Sequence, residues 1–407
     1  MTNMMNHQID SSRVRLVRVS TSRRRFLQRT VFAGVASFSV IGRRATAAPQ
    51  ARIESIRVIS QQPQHYHGWP TLARRRNGQL LLVCSGGREA HVCPFGRVEL
   101  MRSNDNGETW TWPQTLLDGP IDDRDAGVVE TARGSILVTT FTSLAFEPGL
   151  EKANSIKPGE PGAWPADRLA RWNAARDRIG AAERKKELGV WIIRSTDCGI
   201  TWSARYDSQV NSPHGPVQLS DGRLLYAGKD LWRGTERIGV CESTDDGESW
   251  RWLAEIPTRH GDQKKDYHEL HAVETADGRI IVHIRNHNSA NERETLQTES
   301  SDGGKSWSVP HSIGVWGLPS HLLRLRDGQL LISYGHRRPP YGNQARVSAD
   351  HGRTWSEAIS ISADGAGGDL GYPSTVQLND GSLLTVWYEL LKGSTHAVLR
   401  QARWQLR

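Results

Sequence analysis

Long apolar runs are missing from this 407-residue chain. The stretch Thr30 to Gly42 falls short of the ~20 residues that cross a bilayer, which argues against a membrane anchor. Cysteine is scarce, at positions 84, 93, 198 and 241 only, so a disulfide framework is not implied. Their pairing is not deducible from sequence; Cys84 and Cys93, on one expected hairpin, form the pair to test. Gly-rich phosphate loops and dinucleotide fingerprints are absent. No His-x-His or His-x-x-x-His pair is expected on a helix or a single strand, and the i, i+3 pair His268 and His271 is the exception in spacing, so neither a cofactor nor a metal is expected. Acid is nearly absent from residues 1–47, which hold nine arginines against Asp10 and so carry the whole formal charge of +8. The remaining chain is neutral, and bulk charge gives no support to a nucleic-acid partner.

What is present at the start is Ser22-Arg23-Arg24-Arg25-Phe26-Leu27, then the short apolar stretch, then Ala45-Thr46-Ala47. This reads as a twin-arginine export signal over residues 1–47, with residues 48–407 delivered to the periplasm or the exterior. Such substrates cross already folded, so the four cysteines need not form a disulfide framework.

Beyond the leader two repeats run out of phase. Five copies of Ser-x-Asp-x-Gly-x-Thr/Ser-Trp begin at Ser103, Ser195, Ser243, Ser300 and Ser348. Asp and Ser side chains can bond nearby backbone N–H groups, Gly supplies a positive φ, and Trp buries a large apolar face. The motif thus specifies a turn, and its aspartates are expected to be structural. The second repeat is an x-Gly turn followed by an apolar run, with glycines at 78, 134, 222, 278, 328 and 381. Six such units, most of them 50 to 56 residues apart, predict an all-β, six-bladed propeller of four-stranded antiparallel blades. The sixth unit lacks a box, and the alternating stretch Arg52 to Ser60 is expected to supply its missing strand. The one long interval, 88 residues, holds a Pro-, Ala- and charge-rich segment over residues 147–189. Leu169, Trp172, Ala175 and Ile179 recur there at helical spacing, so a small helical insertion in the second blade is predicted, either as a solvated loop or as a rim of the active-site face.

From about Gln61 onward the chain resembles the sialidase superfamily, whose six-bladed propellers carry such Asp boxes. The resemblance implies an exo-glycosidase that removes a terminal acidic sugar, using arginines for the carboxylate and a Tyr nucleophile polarised by Glu. A neutral Tyr suits an anionic sugar, which would repel a carboxylate nucleophile. In GYPSTVQLNDGSLLTVWYE the likeness maps Tyr372 to the nucleophile and Glu389 to the trailing acid. In HELHAVETADGRIIVHIRNH it maps Glu269 to the activating acid and Arg285 to a carboxylate-binding arginine. In the fifth blade it leaves Arg338, ahead of its neighbour Arg337, as another arginine, and in the first blade it gives Arg88.

The first blade departs from the pattern. Gly68-Trp69-Pro70 stands where sialidases have Arg-Ile-Pro, and the loop Glu89 to Gly96 contains no Asp for the general acid. His91 in that loop, or Asp125 in the cluster with Asp122 and Asp123, is expected to fill the role. His67, His214, His268 and His321 fall near strand entries and are expected to bind substrate hydroxyls. The rival readings are a hydrolase or lyase for uronate-containing polysaccharide, and a glycan-binding propeller without turnover. The expected partner is an acidic glycan or sialoside; the oligomeric state is not legible.

Overall fold

Every x-Gly turn becomes a hairpin joining the first two strands of a sheet. In the first, Gly78 N–H donates to Arg75 O and Arg75 N–H to Gln79 O, linking strands Tyr66–Arg74 and Leu80–Arg88. The computed structural model describes residues 49–407; the export signal expected over 1–47 lies outside them. The described residues form six four-stranded antiparallel sheets, a six-bladed propeller. The strand Ala51–Val58 pairs antiparallel with Ala397–Leu406, so the sixth blade takes its outer strand from the start of the described chain and the ring is closed as expected.

Blades stack face to face, which is why their inner strands are apolar on both sides. Leu81, Val83 and Val98 of blade 1 pack on Val128 and Val138 of blade 2, and Tyr372, Leu384 and Val386 of blade 6 on Trp69, Leu72 and Leu82 of blade 1.

The Asp boxes share one bonding pattern. In the first, Ser103 Oγ donates to Asp105 Oδ1 and accepts from Gly107 N–H at 2.8 Å, while Thr109 N–H and Oγ1–H both donate to Asp105. Bonds from Ser306 likewise hold the Asp302 carboxyl well below its usual range. These aspartates are spent inside their turns, as expected. Each tight turn also meets the preceding blade: a Cβ on Gly352 (φ +82°) would come 2.2 Å from Ile281 Cδ1, whereas one on Gly134 (φ +87°) would meet nothing within 4 Å. Gly134→Ala therefore isolates the backbone cost, about 1 kcal/mol, and Gly352→Ala should lose a further ~1–3 kcal/mol from overpacking at the blade interface. Denaturant unfolding that gave equal losses for both would show that the box does not fasten blade to blade.

The insertion in blade 2 comprises α1 (Glu147–Ser155), α2 (Ala166–Arg176) and α3 (Ala181–Lys186). It is a packed rim, not a solvated loop: Trp172, Phe146 and Leu150 bury Cys93 of blade 1, with Val92 and Phe95 beside them. Trp172 Nε1 and Arg171 Nε donate to the Glu89 carboxylate at 2.8 and 3.0 Å. All four cysteines are free thiols. Cys84 faces the core shared by blades 6 and 1, while Cys93 is drawn under the helices, so the two do not pair. Among the described residues no helix is long and apolar enough to cross a membrane.

Candidate active site

Near the start of the inner strand of four blades the backbone bulges and one non-glycine residue takes a positive φ. These are Trp69 (+54°), Asp125 (+46°), Glu269 (+42°) and Tyr372 (+53°), each at a register shift in its strand pair. Such conformations cost roughly 1–3 kcal/mol each and persist only where the surroundings enforce them, so their recurrence at one level of the ring marks a functional face.

Tyr372, Glu269 and Arg285 meet there. Tyr372 Oη–H donates to Glu269 Oε1, and Arg285 Nη1 donates both to Glu269 Oε2 at 2.5 Å and to Tyr372 Oη at 3.0 Å. Burial and then the charge of Glu269 push the Tyr372 phenol well above its usual range, so the hydroxyl is neutral at rest. Burial alone would raise Glu269, but the charge of Arg285 and the bonds from Tyr372 and Arg285 outweigh it and hold that carboxyl below its usual range. A carboxylate is thus poised on a phenol, with a guanidinium able to stabilise the phenolate that proton transfer creates.

Two cavities flank this trio. One, of about 260 Å³, is lined by Arg285, Arg293, Arg337, His287 and Trp316. It is cationic and suits a carboxylate, which accepts paired N–H bonds from guanidinium. The other, of about 150 Å³, is lined by Glu269, Asp125, His268, Asn211, Lys229 and Trp232. Asp125 is 6 % exposed, its Oδ1 has no hydrogen-bond partner, and burial pushes its carboxyl up to about 7 against the opposing pull of Arg124. It can therefore carry a proton near neutral pH.

The remaining expected residues divide. His91, about half exposed, sits at the rim with Nδ1 held 3.0 Å from Asp369 Oδ1 and 2.8 Å from Tyr66 Oη. His268 lines the smaller cavity, where burial lowers its ring to about 4. Arg337 lines the larger cavity with its guanidinium carbon 5.6 Å from the Tyr372 ring, whereas Arg338 leans on Trp316 and His336. Of the two, Arg337 and not Arg338 lines the cavity, because the loop after the strand Leu330–His336 turns their side chains different ways.

Five other expected residues, Arg88, Glu389, His67, His214 and His321, line neither cavity. Arg88 is fully buried and pairs with Asp122 at 2.6 and 2.9 Å while donating to Ala90 O and His91 O, so its charge is paired inside the fold. Glu389 is buried with Arg400 and Trp387 Nε1. His67 is buried beside Glu99, and burial lowers its ring to about 4. His214 and His321 pack with His271 in a buried cluster, ring centroids 4.6 to 5.2 Å apart, and none of the three lines either cavity. That cluster is no ready ligand set: His271 Nδ1 accepts Leu322 N–H at 2.9 Å, which leaves the proton of the neutral ring on Nε2. Among the described residues no group of three or more His, Cys, Asp or Glu is arranged to hold a metal ion.

Residues missed in the sequence are Arg293, His287, Asp369, Lys229 and Trp232, all from loops or strand ends without periodic pattern. Arg124 was also missed; its guanidinium lies 4.4 Å from the Trp69 ring. Its position beside Asp125 in DDRDAG was the available signal.

Comparison with known proteins agrees with this architecture. A structure of a protein of unknown function from Dyadobacter fermentans matches with TM-score 0.71 at 21% identity, over 88% of this chain and 99% of that one. An intramolecular trans-sialidase from Ruminococcus gnavus, in complex with oseltamivir carboxylate, matches with TM-score 0.60 at 13% identity, over 87% of this chain and 97% of that one. A sialidase from Streptococcus pneumoniae matches with TM-score 0.62 at 14% identity, over 87% of this chain and 70% of that one. No curated protein sequence matches. The BNR repeat-like domain model matches residues 164–385, more than half of the chain. The chain therefore belongs to the BNR repeat-like domain family, with the six-bladed propeller fold that its sialidase neighbours share.

Proposed function

We propose that the protein is a retaining exo-glycosidase that hydrolyses a terminal acidic sugar, sialic acid or a related one, from a glycan. The observation that carries the reading is the Tyr372 hydroxyl bonded to Glu269 and Arg285 beside an arginine-lined cavity. The substrate carboxylate binds among Arg285, Arg293 and Arg337. Tyr372 Oη attacks the anomeric carbon as its proton passes to Glu269, and the bond to the leaving oxygen breaks as Asp125 protonates that oxygen. Water then attacks the same carbon, giving its proton to the Asp125 carboxylate, and Tyr372 departs with the proton that Glu269 returns. Asp125 is assigned the acid because it shares a cavity with Glu269 and holds its proton to about pH 7.

The arginine assignment has a direct test. Arg337→Lys should raise KM for the acidic glycoside about tenfold or more with a smaller effect on kcat, since ammonium lacks the two parallel N–H bonds of guanidinium. Arg338→Lys should change KM less than threefold. The reverse order would return the role to Arg338.

The reading includes export through the twin-arginine route. Arg23-Arg24→Lys-Lys should hold the precursor in the cytoplasm, because receptor recognition depends on guanidinium geometry. Cell fractionation that finds the double variant still exported would contradict this.

A further inference from the structure

Glu269 and Tyr372 meet although they do not come from neighbouring blades. Glu269 and Arg285 belong to blade 4 (strands Tyr267–Glu274 and Ile280–Asn286) and Tyr372 to blade 6 (Leu370–Gln377). Blade 5, with Ser320–Arg324 innermost, stands between them. The bond from Tyr372 to Glu269 therefore spans a whole blade, and its length depends on how blade 5 is seated on both sides. Hydroxyl-to-carboxylate bonds tolerate only the narrow range of about 2.5–3.0 Å.

A layer of buried side chains around the axis provides that seating. The first strand is the inner edge of each sheet, so its axis-side N–H groups have no strand partner. Two residues on from the positive-φ residue of blades 1, 4 and 6 stand Thr71, His271 and Ser374, and each bonds the backbone of another blade. His271 Nδ1 accepts Leu322 N–H at 2.9 Å, which joins blade 4 to blade 5. His321 Nδ1 accepts Thr375 N–H at 3.5 Å, which joins blade 5 to blade 6. Ser374 Oγ accepts Leu72 N–H at 3.0 Å, and Thr71 Oγ1–H donates to Pro213 O at 2.9 Å, so the chain of links runs on through blade 1 to the entry of blade 3. Both links that flank blade 5 are thus imidazole acceptors. Burial lowers both rings, His321 to about 3, so each Nδ1 keeps the lone pair that a backbone N–H requires. The two rings stack with centroids 4.6 Å apart and planes 20° apart, which couples one link to the other.

We propose that His271 and His321 are positioning residues, which seat blade 5 so that Tyr372 Oη and the Glu269 carboxylate stay in hydrogen-bond contact. Neither ring lines a cavity, so the effect passes through the backbone of blade 5 and not through contact with substrate. The expected loss of turnover rests on the catalytic reading; the link between the imidazoles and the Tyr372–Glu269 contact does not.

The test sets acceptor against volume. His271→Leu fills much of the space of the ring but leaves Leu322 N–H buried without a partner, whereas His271→Asn loses volume and places its Oδ1 where Nδ1 stood. Protein carrying ¹³C at the ζ carbon of tyrosine is followed by NMR, with the Tyr372 line assigned by its absence in Tyr372→Phe. That line should move in His271→Leu and return towards its wild-type position in His271→Asn. On the acidic glycoside, kcat should fall at least about tenfold in the first and recover to within about threefold in the second. His321→Leu should lower kcat with little change in KM, because the carboxylate-binding arginines lie on blades 4 and 5. Ser320 Oγ, 3.1 Å from His283 Nδ1, still ties blade 5 to blade 4 when the inner bond is removed. An unmoved line in folded His271→Leu, or a larger effect of Asn than of Leu, would show that the ring acts by volume alone and would overturn the proposal. Should His271→Leu fail to fold, His271→Asn decides by itself, since a displaced Tyr372 line in that variant overturns the proposal and a line at the wild-type position upholds it. A line that tracks the acceptor in a protein that hydrolyses no acidic glycoside upholds the linkage and sinks the catalytic reading. Hydrolysis with a line indifferent to His271→Leu does the opposite.

Discussion

Tyr372→Phe, a change of one oxygen, is expected to lower turnover of the acidic glycoside at least about a hundredfold, the scale of a positioned nucleophile and its base. KM should change little, because the ring still packs on Trp69 and Tyr388 and the carboxylate is held elsewhere. The fold should survive: Glu269 keeps its bond from Arg285, so the buried carboxylate is not left unpaired. Thermal unfolding alongside steady-state kinetics checks both points. Equal activity of Tyr372→Phe and wild type on every acidic glycoside hydrolysed would remove the Tyr mechanism and favour a histidine-based one.

The second large effect concerns the proton donor. If Asp125 is the acid, as proposed, activity should fall as pH rises through about 7, where its carboxyl ionises. On the acid side activity should fall only below the usual carboxyl range, where Glu269, held down by Arg285, becomes protonated and can no longer take the proton of Tyr372. Asp125→Asn should lose about 10²- to 10⁴-fold on glycosides with alkoxide leaving groups, retain most activity on activated aryl glycosides, and lose the alkaline limb. His91→Ala should cost less than about tenfold on both, since His91 lies at the rim and its Nδ1 is bound to Asp369. A large loss for His91→Ala confined to poor leaving groups, with the alkaline limb intact in Asp125→Asn, would exchange the two roles.

These residues were legible to different degrees, for physical reasons. The Asp boxes and x-Gly turns are local: their bonds close within about five residues, so the sequence carries the whole signal, and six of them imply a ring. Tyr372, Glu269 and Arg285 were legible through the sialidase resemblance, because Tyr372 and Glu269 lie on first strands and Arg285 on the second strand of the hairpin that Glu269 opens, each hairpin marked by an x-Gly turn. Arg88 was misread because its partner, Asp122, comes from the next blade, and nothing near Arg88 shows that its charge is already neutralised. Glu389 failed similarly through Arg400, eleven residues on and across a hairpin. His67 and Trp69 are two residues apart, yet bulges at Gly68 break the alternation that would have sorted their faces. Arg337 and Arg338 differ only in which way a loop residue points. Trp232 and Arg293 sit in connections whose lengths no repeat constrains, and Lys229 ends the strand that leads into one of them. Gly68-Trp69-Pro70 of the first blade is plain in the sequence, but Arg124 against the Trp69 ring is visible only in three dimensions.

In the proposed mechanism Tyr372 forms a bond to the anomeric carbon. This bond is tested most directly by incubating the mature protein with the acidic glycosyl donor it hydrolyses, fluorinated next to the anomeric carbon to slow release, and sequencing its peptides by mass spectrometry. A glycosyl adduct on Tyr372 is expected, formed in wild type and absent in Tyr372→Phe. An enzyme that turns over the donor with no adduct, or that carries the adduct on another residue, would contradict it.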